Sequence, residues 1–198
     1  LMPYLSQTRS ALVQQTGNES AADDGTIMWD RINKYPVVSK NGAWVQIVLE
    51  DGQYSGGITA DQTAAVINTA YALTYTAEIS SGIANGTPAS RIVFDEAGEY
   101  MISFSAQISS TSASTVNFWF WPRVNGSDVT GSTMKNALHQ NGATLVVSRS
   151  SIFDLNAGDY LEVMWAVDST NGFLDATAAT AFAPAAPSST IAITRLHG

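Results

Sequence analysis

The chain has 198 residues and a net charge of −8, with only 13% charged residues and no cysteine. Without cysteine, disulfides and thiolate-ligated metal sites are excluded. The nine basic residues occur singly, so neither a nucleic-acid partner nor an anionic membrane surface is expected, because both require clustered cations.

Residues 1–60 differ in character from the rest of the chain. The first seven residues have neither a basic start nor an apolar core, so no secretory signal is predicted. Residues 6–15 predict a short helix, and residues 17–25 predict a polar loop. Asn41-Gly42 predicts a turn that leads into a strand over residues 43–49.

This N-terminal segment has too few apolar residues to form a core alone, so it is expected to dock on something else. Its candidate anchoring residues are Trp29, Tyr35 and Trp44. Residues 52–61, with Gly56-Gly57, predict a flexible joint. We therefore expect an anchoring segment over 1–60 and a main domain over 62–198.

The main domain is expected to be all-β, because short strands follow one another without a helical period. No apolar run reaches the roughly 20 residues of a spanning helix, so membrane insertion is not expected. Residues 175–189 are rich in Ala, Thr and Pro and predict a loop or a sheet edge. The predicted strands cover residues 70–75, 90–94, 99–108, 115–124, 127–133, 143–153, 159–167, 172–175 and 190–196.

A turn followed by a strand occurs twice with nearly the same amino-acid sequence. Ala97-Gly98-Glu99-Tyr100 and Ala157-Gly158-Asp159-Tyr160 each place a glycine where a tight turn needs it and an aromatic residue at the start of a strand. Asn125-Gly126 lies between two predicted strands, as in a type I′ hairpin. The predicted structural turn residues are therefore Gly98, Asn125, Gly126 and Gly158.

Two strands place large apolar residues on both of their faces. In residues 116–124, Phe118 and Phe120 point one way and Trp119 and Trp121 the other. A pair of exposed tryptophans would form an adhesive patch, so something should cover it. A neighbouring subunit is favoured over packing within the chain, and packing within the chain over a bound sugar. Including the strand at 160–167, the candidate subunit interface comprises Trp119, Trp121, Tyr160 and Met164.

The sequence contains no recognisable catalytic constellation, so the protein is predicted not to be an enzyme, with no metal and no cofactor. His139 and His197 show no metal-ligand spacing. The carboxylate pairs Asp23-Asp24, Asp95-Glu96 and Asp159 with Glu162 fall at turns and strand ends. A hydrolase acting on glycans, which needs two carboxylates across a cleft, is therefore the least favoured hypothesis.

The region over about 66–196 resembles the C1q/TNF-like jelly rolls found in structural proteins of bacteriophage particles. The resemblance implies an antiparallel jelly-roll sandwich without universal catalytic residues. It also implies a compact homotrimer carried on fibres, tail tips or capsid surfaces. The matching stretches are residues 68–75, Ala97-Gly98-Glu99-Tyr100 with its strand, residues 121–126, residues 155–162 with Trp165, and residues 184–188.

The favoured functional hypothesis is a non-enzymatic structural protein of the virion surface. It would be a homotrimeric capsid decoration or short fibre that contacts other virion proteins through residues 1–60. The alternative is a receptor-binding module of the tail-fibre type that recognises polysaccharide on a host surface. Since one scaffold hosts many functions, the fold does not decide between them.

Overall fold

A computed structural model describes residues 25–30, 35–46 and 52–197 of the chain. The chain divides into two compact units, residues 1–49 and 50–198. The helix predicted at 6–15 lies outside the described residues. Within them, every regular element is a β-strand, and no helix has the length and apolarity needed to cross a membrane.

Seventeen strands are described, and they are numbered in chain order. The first nine are β1 Ile27–Asp30, β2 Tyr35–Lys40, β3 Ala43–Gln46, β4 Gln53–Ile58, β5 Gln62–Thr63, β6 Tyr71–Ala72, β7 Thr76–Ser81, β8 Ile83–Asn85 and β9 Ile92–Phe94. The others are β10 Gly98–Ser110, β11 Val116–Val124, β12 Ser127–Asp128, β13 Met134–Leu138, β14 Thr144–Leu155, β15 Tyr160–Val167, β16 Gly172–Leu174 and β17 Ser189–His197.

The described part of the first unit is a three-stranded antiparallel sheet in the order β1-β2-β3. The predicted turn at Asn41-Gly42 joins β2 to β3, with φ angles of 53° and 77°. Both values are positive, as a type I′ turn requires. Val37 is 3% exposed, whereas Trp29 is 42% exposed.

The second unit consists of two antiparallel sheets. One has the order β5-β16-β10-β17-β4-β7, with β14 paired to β10, and the other has the order β12-β11-β15-β9-β8, with β13 paired to β11 and β6 to β15. The chain crosses between the sheets from β9 to β10 to β11 and again from β13 to β14 to β15 to β16. This alternation is the jelly-roll pattern, so the predicted fold class is confirmed.

The core lies between the two sheets and is built by the alternation of the long strands. In β10, Tyr100, Ile102 and Phe104 point inward and are at most 7% exposed. From the other sheet, Phe120 meets Phe104 with ring centroids 5.9 Å apart. Since burial of a large apolar side chain contributes about 1.5–3 kcal/mol, this aromatic layer is a main source of stability.

Two sequence predictions about strands are wrong. The joint expected at 52–61 contains β4, which pairs with β17 and β7 and buries Tyr54 to 2% exposure. The first unit therefore ends nearer residue 50 than residue 61. Of the strand expected at 127–133, only β12 at Ser127–Asp128 is a strand, because the backbone then turns and Gly131 has a φ of 75°; the next strand, β13, begins at Met134.

The loop predicted near residues 175–189 is confirmed for residues 175–188. The described backbone there forms only an isolated bridge between Thr177 and Ala186. At the tip of this loop, Phe182 is 90% exposed.

Candidate functional site

A groove with two tryptophans at its base lies on the outer face of the second sheet. Along β11, Phe118 and Phe120 are fully buried, while Trp119 and Trp121 on the opposite face remain half-buried. Because successive residues of a strand alternate between faces, the two indoles start about 7 Å apart on one surface. We call this site the tryptophan groove and define it by Asn68, Trp119, Trp121, Asp128, Thr130 and Thr133.

Asp128 fixes the orientation of the second indole. Its Oδ1 accepts a hydrogen bond from Trp121 Nε1 at 2.8 Å and another from Arg123 Nε at 2.7 Å. The hydrogen bond from Arg123, and to a smaller extent that from Trp121, holds the pKa of Asp128 below its usual value. The carboxylate therefore stays ionised near neutral pH. Within the described chain, its Oδ2 has no hydrogen-bond partner and is available as an acceptor.

The hairpin that carries Asp128 is set by the predicted Asn125-Gly126 turn. Their φ angles are 48° and 80°, and Val124 pairs with Ser127 across the turn. Asparagine and glycine tolerate positive φ better than other residues. This local geometry brings Asp128 back alongside Arg123.

The segment of the groove that follows Asp128 is held by hydrogen bonds of its backbone. Val129 N donates to Pro122 O at 3.1 Å, and Ser132 N donates to Val129 O at 3.2 Å. Arg149 of β14 also donates to the carbonyl of Ser132, which is buried. This segment is therefore held in place before any ligand arrives.

The remaining polar groups of the groove are unengaged. Among the described residues, the side chains of Asn68, Thr130 and Thr133 have no hydrogen-bond partner. Lys135 Nζ lies 5.4 Å from the ring centroid of Trp119, which is a cation–π distance. The cavity volume is about 530 Å³, within the range of roughly 300–1,000 Å³ that is usual for small-molecule sites.

The four predicted interface residues differ in how exposed they are. Trp119 and Trp121 are partly open, as the sequence suggested. Met164 is only 3% exposed, so its own chain already covers it. Tyr160 is half-buried beneath Arg91, whose guanidinium carbon lies 4.2 Å from the centre of its ring. A second subunit is therefore not needed to shield Tyr160 and Met164.

Sequence reasoning missed a second surface, on the outer face of the first sheet. Strands β10, β14 and β17 there present uncharged and mostly small side chains, which alternate with the core residues. We call this surface the serine face; it comprises Met101, Ser103, Ser105, Gln107, Val146, Ser148, Ser150, Ile152, Thr190, Ala192 and Thr194. The alternating serines of β10 and β14 are visible in the sequence, but the same alternation is typical of a strand whose outer face is exposed to solvent.

Four of the six hydroxyl groups of the serine face are already paired with one another. Ser103 Oγ and Ser150 Oγ lie 2.7 Å apart, and Ser105 Oγ and Thr190 Oγ1 lie 2.8 Å apart. Exposed apolar residues flank these serines along β14, with Val146 at 59% and Ile152 at 62% exposure. Covering paired hydroxyls costs less free energy than covering unpaired ones, so this surface is suited to burial under another protein.

The titratable residues singled out from the sequence are engaged in structural contacts. His139 Nδ1 is 3.0 Å from Thr115 Oγ1. Glu96 forms an ion pair with Arg195, and Glu162 accepts from Ser90 Oγ at 2.7 Å. Asp23-Asp24 and the side chain of His197 lie outside the described residues. In the part of the chain that is described, no three His, Cys, Asp or Glu side chains cluster as a metal site would require.

The remaining predicted turn and anchoring residues are placed as follows. Gly158 has a φ of 85° and precedes β15, and Gly98, with a φ of 156°, is the first residue of β10. Of the anchoring candidates, Trp29 is exposed and Trp44 is half-buried. The side chain of Tyr35 lies outside the described residues, and the anchoring role of all three stays a prediction.

Comparisons with known proteins give a likeness in structure only. No family model matches the chain, and no curated protein matches it. Solved structures that resemble it include crystal structures of murine APRIL at pH 8.5, 5.0 and 8.0, with TM-scores of 0.48, 0.47 and 0.47. Each is 10% identical and covers 74% of this chain and 99% of its own. The jelly-roll assignment stands on the strand order described above.

Proposed function

We propose that this protein is a non-enzymatic structural protein of a virus surface, which forms homotrimers as a capsid decoration or short fibre. The observation that supports assembly is the serine face. Its defining residues are uncharged, and Glu78 lies at the border of this surface. Four of its six hydroxyls are paired with one another, and Val146 and Ile152 are exposed. Exposed apolar area of this kind is typical of interaction surfaces.

The exposed loop tip provides a second contact that suits a closed ring. Phe182 is 90% exposed, and a depression of about 400 Å³ near the base of the same loop is lined by small residues, among them Ala176, Ala178 and Pro187. Because the protrusion and the hollow belong to one loop, neighbouring copies could contact each other through this loop around a common axis, which generates a ring when the rotation closes. This supports cyclic assembly. That the ring has three subunits is inferred from the resemblance to C1q/TNF-like jelly rolls.

The oligomeric state of the full chain tests the assembly part of the proposal. Sedimentation equilibrium should give a mass of three chains of 21.0 kDa. The variant Ser150→Asp places a charge in the middle of the serine face and should shift the protein toward the monomer. Ser114→Asp, in an exposed loop, is the matched control and should leave the mass unchanged. A wild-type chain that stays monomeric at high concentration would overturn the proposal.

The location on a virus particle needs its own experiment. Immunogold electron microscopy with an antibody against the chain should label the surface of particles, and Trp29→Ala should reduce labelling if residues 1–60 attach the trimer. Particles that contain none of the chain by mass spectrometry would remove the viral assignment. The assembly experiment would be unaffected by that result.

A further inference from the structure

We propose that the tryptophan groove binds a carbohydrate, with a neutral pyranose ring stacked on the indole of Trp121 or Trp119. This goes beyond the structural role, and it does not depend on trimer formation. The occupant is inferred from the combination of lining groups, since the groove offers aromatic faces and unengaged hydrogen-bonding groups together.

The aromatic part of the groove matches the apolar face of a sugar ring. A pyranose presents several C–H groups on one side, and these carry a small positive charge that is attracted to the electron-rich face of an indole. Trp119 and Trp121 provide two such faces about 7 Å apart along one strand. Trp121 is ordered in advance by its hydrogen bond to Asp128, and Lys135 lies near the ring of Trp119.

The polar part of the groove matches the edge of a sugar ring. Sugar hydroxyls are both donors and acceptors, and they need partners of both kinds. Asp128 Oδ2 supplies an acceptor that is charged at neutral pH, Asn68 supplies a donor and an acceptor, and Thr130 and Thr133 supply hydroxyls. In the described part of the chain these groups have no other hydrogen-bond partner, so a ligand would compete only with water.

The charge of the groove selects among carbohydrates. Arg123 already donates to Asp128, so its positive charge is largely offset by the carboxylate. The chain as a whole carries a net charge of −8. Lys135 adds one positive charge beside Trp119, whereas the open edge of the groove carries the ionised Asp128 and the whole chain is negative. Neutral hexoses and their N-acetylated amines are therefore favoured over sugars with carboxylate or sulfate groups.

The first experiment uses an array of neutral oligosaccharides built from glucose, galactose, mannose and N-acetylglucosamine, with sialylated and sulfated glycans alongside. The full wild-type chain should bind a subset of the neutral glycans, and the strongest of these is then titrated by calorimetry. Absence of binding by the folded chain to every neutral glycan would overturn the proposal. Binding confined to the acidic glycans would overturn it as well.

Variants of the groove locate the site. Trp121→Ala and Trp119→Ala should each weaken the calorimetric affinity at least about tenfold, as loss of a central aromatic contact commonly does. Trp121→Phe keeps a stacking ring but loses the hydrogen bond to Asp128, so it should lie between wild type and Trp121→Ala. Trp29→Ala, an exposed tryptophan of the first unit, is the matched control and should bind normally.

Two further measurements distinguish a carbohydrate site from a subunit contact. Thr130→Arg changes an exposed residue of the wall, so it should block the groove while the thermal unfolding midpoint stays unchanged. The oligomeric state of Trp121→Ala should equal that of wild type. If Trp121→Ala instead dissociates the oligomer, the indole is a subunit contact and the carbohydrate proposal fails. If glycan binding persists in a monomeric Ser150→Asp variant, the groove acts independently of the proposed assembly.

Discussion

Asn125 and Asp159 join two turns that lie 34 residues apart in sequence. Asn125 Nδ2 donates to Asp159 Oδ1 at 2.8 Å, and Asn125 Oδ1 accepts from the backbone N of Tyr160 at 3.0 Å. One side chain thus connects the β11–β12 hairpin to the start of β15. The hairpin carries Asp128, so this pair also supports the tryptophan groove.

We expect Asn125→Ala to lower the free energy of unfolding by about 1–3 kcal/mol. The variant loses two hydrogen bonds, each contributing about 0.5–1.5 kcal/mol, and alanine tolerates the φ of 48° less well. Urea unfolding followed by tryptophan fluorescence measures the change. Gln140→Ala, at an exposed position, is the control and should stay within about 0.5 kcal/mol of wild type. Equal midpoints for the two variants would contradict the structural role of Asn125.

Asp159 should make stability depend on pH in the acid range. Hydrogen bonds from the Asn156 backbone and from Asn125 lower its pKa from the usual 3.8. A carboxylate with a depressed pKa in the folded state stabilises the protein fully above its unfolded pKa, and this contribution is lost as the pH falls through the folded pKa. Wild type should therefore be more stable than Asp159→Asn at pH 7, and the gap should shrink below about pH 4.

Urea midpoints measured from pH 7 to pH 2.5 test this expectation. Asp128→Asn should likewise be less stable than wild type at pH 7, with a difference that shrinks in acid, because Arg123 and Trp121 lower the pKa of Asp128. Parallel curves of stability against pH for wild type and Asp159→Asn would show that the turn does not stabilise the ionised carboxylate.

Ser90→Ala should destabilise the second unit by about 1–3 kcal/mol. Ser90 Oγ donates to Glu162 Oε1 at 2.7 Å, and both residues are at most 9% exposed. Removing the hydroxyl leaves a buried carboxylate oxygen without this donor, and the cost of an unsatisfied buried group exceeds that of an exposed one. Thermal unfolding compared with Ser114→Ala, a serine in an exposed loop, measures the difference. An unchanged midpoint for Ser90→Ala would mean that water replaces the hydroxyl.

Alternation along the chain was enough to predict the long strands of the jelly roll. Strands β10, β11, β14 and β15 show period-two patterns, and their observed bounds differ from the prediction by at most two residues. Strand β4 was missed because Gly56-Gly57 resembled a joint. In the structure, a Cβ on Gly56 would stand 2.9 Å from Thr76 O, so a close approach between strands requires glycine there.

The sequence predicts the aromatic part of the candidate site but not its polar part. The outward direction of Trp119 and Trp121 follows from their spacing to Phe118 and Phe120. The polar groups of the groove do not follow, because Asp128 reaches Trp121 through a two-residue turn and Asn68 comes from a loop with a long separation in sequence. The serine face escaped notice because the pairing of Ser103 with Ser150 depends on the register of β10 against β14, and that register is not visible in either strand alone.

Phe182→Ser should separate folding from assembly. The side chain is 90% exposed, so its removal should leave the urea midpoint of the protomer within about 0.5 kcal/mol. If the proposed ring forms, the same variant should sediment with a lower average mass at micromolar concentration. Val66→Ser, another exposed apolar residue at 58%, is the control. A drop in protomer stability would show instead that Phe182 packs within its own chain.

Gly172→Ala should be among the most damaging single substitutions in the core. The added Cβ would stand 2.6 Å from Val167 Cγ2, 2.7 Å from Val116 Cγ1 and 2.8 Å from Phe118 Cζ. Overpacking of this kind costs about 1–3 kcal/mol or more, because the surrounding side chains must leave their preferred rotamers. Gly57→Ala is the matched control, since its Cβ would meet only Glu78 Oε1 at 3.4 Å and more distant atoms. Urea unfolding should show a large loss for the first variant and little change for the second, because the jelly roll allows β16 to approach β11 only through a residue without a side chain.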